Sequence, residues 1–416
     1  MQLLYGMPED IEKWMQLVNQ LSWNFPGLET QEKLDEHKTT VIKFMDKRQA
    51  ICVKVGCEIA GVILFSRGHN MICCLGVSPD HRRRGIASML MSEALQNLDR
   101  TREISVCTFR ANDEKGIAPR ALYEKYGFIE DALVETMGYP NQKYILHPAG
   151  SERYERQRAI NKMTHEINSI LSDCEPSIYL YGSSVLNDFR LGWSDIDILV
   201  LTNRQISEEQ AQKLVNLRQT MLEKEPGNPY YRSFEGGMLM LDALISGSSD
   251  RVVYWGTSGE RITDTYMFDS FSMAELIESG ILLYGRDVRS WLSAPNLSDL
   301  YADINHHCET IRKYVQKTER SLYSFGWMLD IARCLYTLRT GKIIAKTAAA
   351  KWALENNLCP VPDVLKTALQ VRKAPLEYMN NKHALDYAES LADPIQRFAD
   401  VLEDELKRLE YDCKSN

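Results

Sequence analysis

The stretch Tyr179-Leu180-Tyr181-Gly182-Ser183-Ser184, followed by Trp193-Ser194-Asp195-Ile196-Asp197-Ile198-Leu199-Val200-Leu201, decides how this chain is read. The first segment is a short apolar strand that ends in a Gly-Ser turn, and the second is a strand that opens on two acids. Residues i and i+2 of a strand share a face, so Asp195 and Asp197 project together while Ile196 and Ile198 face the core. Two carboxylates on one face suit a hard cation. Mg²⁺ takes one or two carboxylates plus substrate phosphates and completes its shell with water. Gly182 lets the backbone approach a triphosphate closely, and the Ser183 hydroxyl can hold its outer phosphates. An isolated Asp-x-Asp is common in an acidic chain. Here its position at the head of a buried strand, after a Gly-Ser turn, gives it meaning.

A third carboxylate on a neighbouring strand would bind a second Mg²⁺ or deprotonate an acceptor hydroxyl. Asp242 is the candidate for both duties. It lies in Met238–Ile245, MLMLDALI, which reads as an apolar strand where an acid is costly without a partner. Glu235, just ahead of that strand, is the second choice.

Gly182-Ser183, then Asp195-x-Asp197, then an acid in a later strand, resembles the nucleotidyltransferase superfamily. Further on, Ile331-Ala332-Arg333-Cys334-Leu335-Tyr336-Thr337-Leu338-Arg339-Thr340-Gly341-Lys342-Ile343-Ile344-Ala345-Lys346-Thr347 and the following Ala348–Leu354 are similar to the helical domain of streptomycin/spectinomycin adenylyltransferases. That resemblance implies ATP as donor and places its phosphate contacts on Arg333 and Lys346. The chemistry agrees, since a triphosphate needs cations beyond Mg²⁺ and a guanidinium binds its oxygens as a fork. The family's drug-binding acids precede this helix, where the present chain reads Ser321-Leu322-Tyr323-Ser324-Phe325-Gly326-Trp327 and has no carboxylate until Asp330.

Toward the N-terminus, strand Met71–Val77 leads through Ser78-Pro79-Asp80-His81 into Arg82-Arg83-Arg84-Gly85-Ile86-Ala87 and an amphipathic helix. A glycine turn before a helix presents free N–H groups and the positive end of the helix dipole to an anion, and the arginines reinforce it. With Leu122-Tyr123-Glu124-Lys125-Tyr126-Gly127-Phe128 downstream, this resembles the GNAT acetyltransferases. The resemblance implies acetyl-CoA, its pyrophosphate on Arg82, Arg83, Arg84, Gly85, Ile86 and Ala87. Leu75 to Val77 would pair with the pantetheine arm, and Tyr123 would protonate the departing thiolate. Two departures stand out. Gly116 occupies the position where many relatives carry Asn, with Asn112 four residues too early, and Cys73 and Cys74 occupy the strand where an acidic base is often found.

The fold class expected is α/β (α+β). A GNAT-like domain over residues 1–148 and a Pro/Gly/charged linker at 149–156 precede a nucleotidyltransferase α/β domain at 157–294 and a helical bundle at 295–416. The helices expected in the bundle are Tyr301–Thr318, Leu322–Thr337, Lys346–Glu355, Leu365–Gln370 and Ala384–Arg408. A chain of 416 residues exceeds a single ordinary core. Its composition, 44% hydrophobic and 25% charged, is that of a folded protein.

A net charge of −8 argues against a nucleic-acid partner and suits a cationic acceptor. The N-terminus has neither a basic n-region nor a long apolar run, so a cytoplasmic location without membrane partners is expected. Ten cysteines without paired spacing, among them Cys52, Cys73, Cys107 and Cys334, read as reduced core residues. His306-His307-Cys308 is not read as a metal site, because adjacent helical residues diverge. Trp255 and Trp327 read as core.

The reading these residues favour is a bifunctional small-molecule-modifying enzyme that transfers AMP from Mg-ATP to a hydroxyl of an aminoglycoside-type acceptor. An acetyl-CoA-dependent module would precede it. Two alternatives stay open: a protein-modifying or regulatory nucleotidyltransferase, and a GNAT domain that only binds acyl-CoA.

Overall fold

The computed structural model describes residues 1–110, 113–256 and 259–415, with side chains as far as residue 409. It divides into two compact units, Met1–Arg158 and Ala159–Asn416.

The first unit contains, in chain order, β1 (Gln2–Tyr5), α1 (Ile11–Leu21), α2 (Gln31–Asp46), β2 (Ala50–Val55), β3 (Glu58–Ser66), β4 (Met71–Val77), α3 (Ile86–Gln96), β5 (Ile104–Phe109), α4 (Ile117–Lys125), β6 (Ile129–Thr136) and β7 (Tyr139–Leu146). The seven strands form one sheet in the order β1-β2-β3-β4-β5-β7-β6. Strand alternation assigns Ile51, Val53 and Ile63 to the face under α3, and Cys52, Val62 and Leu64 to the face under α1 and α2, so two cores sandwich the sheet. The ladder between β4 and β5 is parallel and consists of the single pair Met71↔Ser105, after which the strands diverge.

Helix α5 (Glu152–Leu171) begins inside the segment expected to be a linker. Only Pro148–Ser151 remains a turn, closed by the Ser151 N–H donating to the Pro148 carbonyl at 3.1 Å. The Ser151 hydroxyl accepts from the Tyr154 N–H at 3.2 Å, so the residues that look like a charged linker are a capped first turn.

The second unit continues with β8 (Ser177–Tyr181), β9 (Ile196–Thr202), α6 (Glu208–Lys224), β10 (Phe234–Met240), α7 (Leu241–Ser246), β11 (Val252–Gly256), β12 (Gly259–Thr263), α8 (Ser270–Ser279) and β13 (Ile281–Tyr284). Its sheet runs β12-β11-β10-β9-β8-β13, with β9 and β10 parallel. Ile178, Leu180, Ile196, Ile198 and Val200 pack under α5 and α6, while Tyr179, Tyr181, Leu199 and Leu201 face Leu276 of α8.

Helices α9 (Leu297–Tyr314), α10 (Tyr323–Thr340), α11 (Lys346–Glu355), α12 (Pro362–Lys373), α13 (Pro375–Tyr378), α14 (Lys382–Glu389) and α15 (Ala392–Ser415) complete the unit. They surround the core of Phe325, Met328, Leu329, Leu335 and Phe398. The single helix expected over 384–408 is two. Pro394 lacks an N–H and is tolerated only in a first turn, so α15 starts afresh at Ala392. Among the described residues no helix is long and apolar enough to cross a membrane.

Two further expectations are corrected. The strand Met238–Ile245 stops at Met240, and Leu241–Ser246 is helical, ending at Gly247 with φ +65°. A short apolar run does not distinguish strand from helix, and the Asp250 carboxylate ends the strand by accepting the Met240 N–H at 2.8 Å. Cys73 is exposed rather than core, because it is the extra residue of a bulge in β4 between the pairs Leu64↔Cys74 and Phe65↔Ile72.

Candidate active site

Strands β8, β9 and β10 align their ends so that three functional positions fall in register. Asp197 of β9 lies opposite Tyr181 of β8 on one side and Glu235 of β10 on the other. Gly182 follows β8 at φ +68°, and a Cβ there would overlap the Asp197 carboxylate, so only glycine fits the turn. The Ser183 hydroxyl donates to the Asp195 carbonyl at 3.4 Å, tying the Gly-Ser turn to the Asp-x-Asp segment.

These groups line a cavity of about 370 Å³ that includes Gly182, Ser183, Asp195, Asp197, Arg333 and Lys346. Six of the seven residues that sequence reasoning assigned to nucleotide and metal therefore come together. Asp242 does not join them. It is exposed in the first turn of α7, where an acid suits the helix dipole. The acid that does approach is Glu235, near enough to Asp195 to raise its carboxyl.

Crowding of carboxylates controls the electrostatics. Burial, reinforced by Glu235, pushes Asp195 up to about 7. Burial and then Asp195, Glu275 and Glu235 push Asp197 well above the usual carboxylate range. Lys346 offsets this only in part, and a divalent cation would supply the remaining counter-charge. No three His, Cys, Asp or Glu side chains among the described residues enclose a cation by themselves.

The two cations assigned to the phosphates are held by acids to which sequence reasoning gave no role. Arg333 donates to Glu275 at 3.1 Å, and Lys346 pairs with Asp330 at 2.7 Å. Burial alone would raise the Asp330 carboxyl, but Lys346, Arg333 and His307 together bring it down to about 2. Arg372 and Asp188 also line the cavity as a buried pair. Trp327, read as core, is half-buried and faces the same space, whereas Trp255 is fully buried and donates to the Leu214 carbonyl at 3.0 Å.

In the first unit a cavity of about 850 Å³ is lined by Leu75, Val77, Arg82, Arg83, Gly85, Ile86 and Ala87. Arg84 is exposed outside this lining. Gly85, at φ +80°, is the N-cap of α3 and leaves the first N–H groups of the helix open to an anion. Leu75 and Val77 pair with β3 on one edge only, since the β5 ladder closes before them. That leaves an extended edge of the kind a linear ligand can pair with.

Tyr123 is buried behind this lining, packed on Phe128 and Tyr144, and burial raises its phenol. A side chain at Gly116 would overlap the Arg120 guanidinium, which donates to the carbonyls of Phe109 at 3.3 Å and Asp113 at 3.2 Å. Arg120 thus fills the space that an Asn at 116 would need. Asn112 lies outside the described residues.

Comparison with known proteins follows this division. Residues 46–130 match the model of the acetyltransferase (GNAT) domain, 160–226 that of the nucleotidyltransferase domain, and 296–404 that of the aminoglycoside adenylyltransferase C-terminal domain. The chain thus carries a GNAT acetyltransferase domain, then a nucleotidyltransferase domain, then a C-terminal domain that matches the one found in aminoglycoside adenylyltransferases.

Its adenylyltransferase part is similar to spectinomycin 9-adenylyltransferase of Staphylococcus aureus strains Mu50 and N315, at 25% identity over 187 residues, covering 42% of this chain and 70% of the relative. Among solved structures, spectinomycin adenyltransferase AAD(9) from Enterococcus faecialis with ATP and spectinomycin aligns at 16% identity and TM-score 0.42. That alignment covers 58% of this chain and 99% of the other. The acetyltransferase domain aligns with an N-acetyltransferase from Staphylococcus aureus Mu50 at 18% identity and TM-score 0.30, covering 35% of this chain and all of the other.

Proposed function

We propose that the second unit transfers AMP from ATP to a hydroxyl of an aminocyclitol-type antibiotic, with Mg²⁺ held by Asp195 and Asp197. The observation that carries this reading is one cavity uniting Gly182, Ser183, both aspartates, Arg333 and Lys346. A bound magnesium ion would supply Lewis-acid polarisation of the phosphate under attack and neutralise the crowded carboxylates.

The protein's own groups account for the remaining tasks. The backbone at Gly182 and the Ser183 hydroxyl cradle the outer phosphates, and Arg333 and Lys346 neutralise the pyrophosphate as it departs. Glu235, beside Asp195, takes the proton of the acceptor hydroxyl in place of Asp242. In the first unit, the turn at Arg82–Ala87 binds the pyrophosphate of acetyl-CoA, the free edge at Leu75–Val77 pairs with its pantetheine arm, and Tyr123 returns a proton to the leaving thiolate.

The test is pyrophosphate release by the full chain given Mg²⁺, ATP and spectinomycin. Release that depends on all three and is abolished in Asp195→Ala supports the reading, whereas equal rates in wild type and variant would refute it.

A further inference from the structure

A second cavity, of about 790 Å³, adjoins the nucleotide cavity. Trp193, Ser194, Asp195 and Tyr323 line both, so Asp195 is presented to each from one side. Glu235 faces only the second. A base reached from one chamber, next to a metal-binding carboxylate reached from both, is the arrangement needed by an acceptor hydroxyl attacking a phosphate across a shared wall. The volume falls in the range of sites for drug-sized molecules. Trp193 and Tyr323, with ring centroids 6.4 Å apart, offer an aromatic wall for the apolar face of a sugar-like ring.

The charges of this chamber are unlike those of a polycation site. Asp195 is committed to the metal in the reading above. Glu260 is committed to Arg218, whose Nε donates to it at 2.6 Å, and the same guanidinium donates to the Phe234 carbonyl at 2.6 Å. Glu235 accepts the Tyr254 hydroxyl at 3.1 Å. Arg232 stands exposed on the lining, and no ion pair of its side chain is formed among the described residues. The uncommitted charges are thus one carboxylate, needed as base, and one guanidinium. A strongly basic acceptor finds a single counter-charge there and a fixed like charge opposite.

We infer that this second cavity holds the acceptor and that Arg232 restricts it to hydroxylated ring compounds bearing few cationic groups. The inference rests on the adenylyl-transfer reading and names the substrate class of that site. Arg232 is a specificity residue on the acceptor side and takes no part in the chemistry.

The experiment measures pyrophosphate release by the full chain with Mg²⁺ and ATP at low ionic strength. The acceptors are spectinomycin, a weak dibase, and the more highly charged streptomycin and kanamycin. Wild type should favour spectinomycin. Arg232→Ala should raise kcat/KM for the highly charged acceptors about tenfold while changing that for spectinomycin less than about threefold, and Arg232→Lys should restore the wild-type preference. Better use of streptomycin or kanamycin by wild type, or identical preferences in Arg232→Ala and wild type, overturns the inference and leaves adenylyl transfer standing. Absence of pyrophosphate with every acceptor removes the transfer reading itself, and this inference with it.

Discussion

The Arg372 guanidinium donates to the Asp188 carboxylate at 2.8 Å, and the two side chains are 4% and 5% exposed. A second donation reaches the Asp188 carbonyl at 3.1 Å, and the Thr347 hydroxyl donates to the other carboxylate oxygen at 2.6 Å. Asp188 lies in the loop joining the Gly-Ser turn to Asp195, whereas Thr347 and Arg372 belong to α11 and α12. One buried network therefore clamps the loop after the Gly-Ser turn to the helical core. Removing one partner strands a buried charge. Arg372→Met is expected to lower stability by about 3 kcal/mol, and adding Asp188→Leu should recover most of the loss. Urea denaturation of the two variants checks this, and equal midpoints for Arg372→Met and wild type would show that the pair adds nothing.

Asp197 is burdened by neighbouring acids in the metal-free protein. Asp197→Asn should abolish pyrophosphate release, by at least about a thousandfold, while leaving the metal-free chain no less stable, because a buried repulsion is relieved. Activity assays paired with thermal melting in chelator separate this outcome from simple unfolding. A large drop in melting temperature would contradict it.

Glu235 and Asp242 compete for the role of base. Glu235→Gln should lower kcat by roughly a hundredfold or more, with KM for ATP little changed. Asp242→Asn, on an exposed helical turn, should stay within about twofold of wild type. Steady-state kinetics decide between them, and the reverse ranking would return the role to Asp242.

Asp330 carries a pH signature. Its folded carboxyl titrates near 2, below the unfolded value near 3.9. A depressed folded value contributes stability that is present above the unfolded value and lost as pH falls through the folded one. Asp330→Asn should therefore cost roughly 2 kcal/mol at neutral pH, with the gap from wild type closing between about pH 4 and pH 2. A gap independent of pH, followed by denaturant titration across that range, would mean that the Lys346 pair is not its source.

Tyr123 lies behind the cavity of the first unit, and burial raises its phenol. Tyr123→Phe should slow acetyl transfer about tenfold or more and leave acetyl-CoA affinity, measured by calorimetry, unchanged. Loss of affinity instead would assign the hydroxyl to binding.

Much of this was legible before any fold was drawn. Strand alternation alone placed Asp195 and Asp197 on one face against buried Ile196 and Ile198, since side-chain direction in a strand depends only on local geometry. The Gly-Ser turn and the glycine turn before α3 were readable for the same reason: each needs a backbone conformation that glycine adopts readily. Asp242 was misplaced because an apolar run such as MLMLDALI carries no period that separates strand from helix. Glu235 was ranked second because its importance comes from lying beside Asp197 on a parallel strand, a register set by packing of α6 and the sheet.

What the sequence by itself determined is therefore the local chemistry: which turns leave N–H groups open, which acids share a strand face, which helices follow. Only the tertiary structure decided the partners. Arg372 and Asp188 are 184 residues apart, Arg333 and Glu275 are 58, and nothing in either neighbourhood marks the other. Ion pairs of that kind form because a buried charge must find a counter-charge wherever folding brings one within reach, and that distance is a property of the packed core, not of the order of residues along the chain.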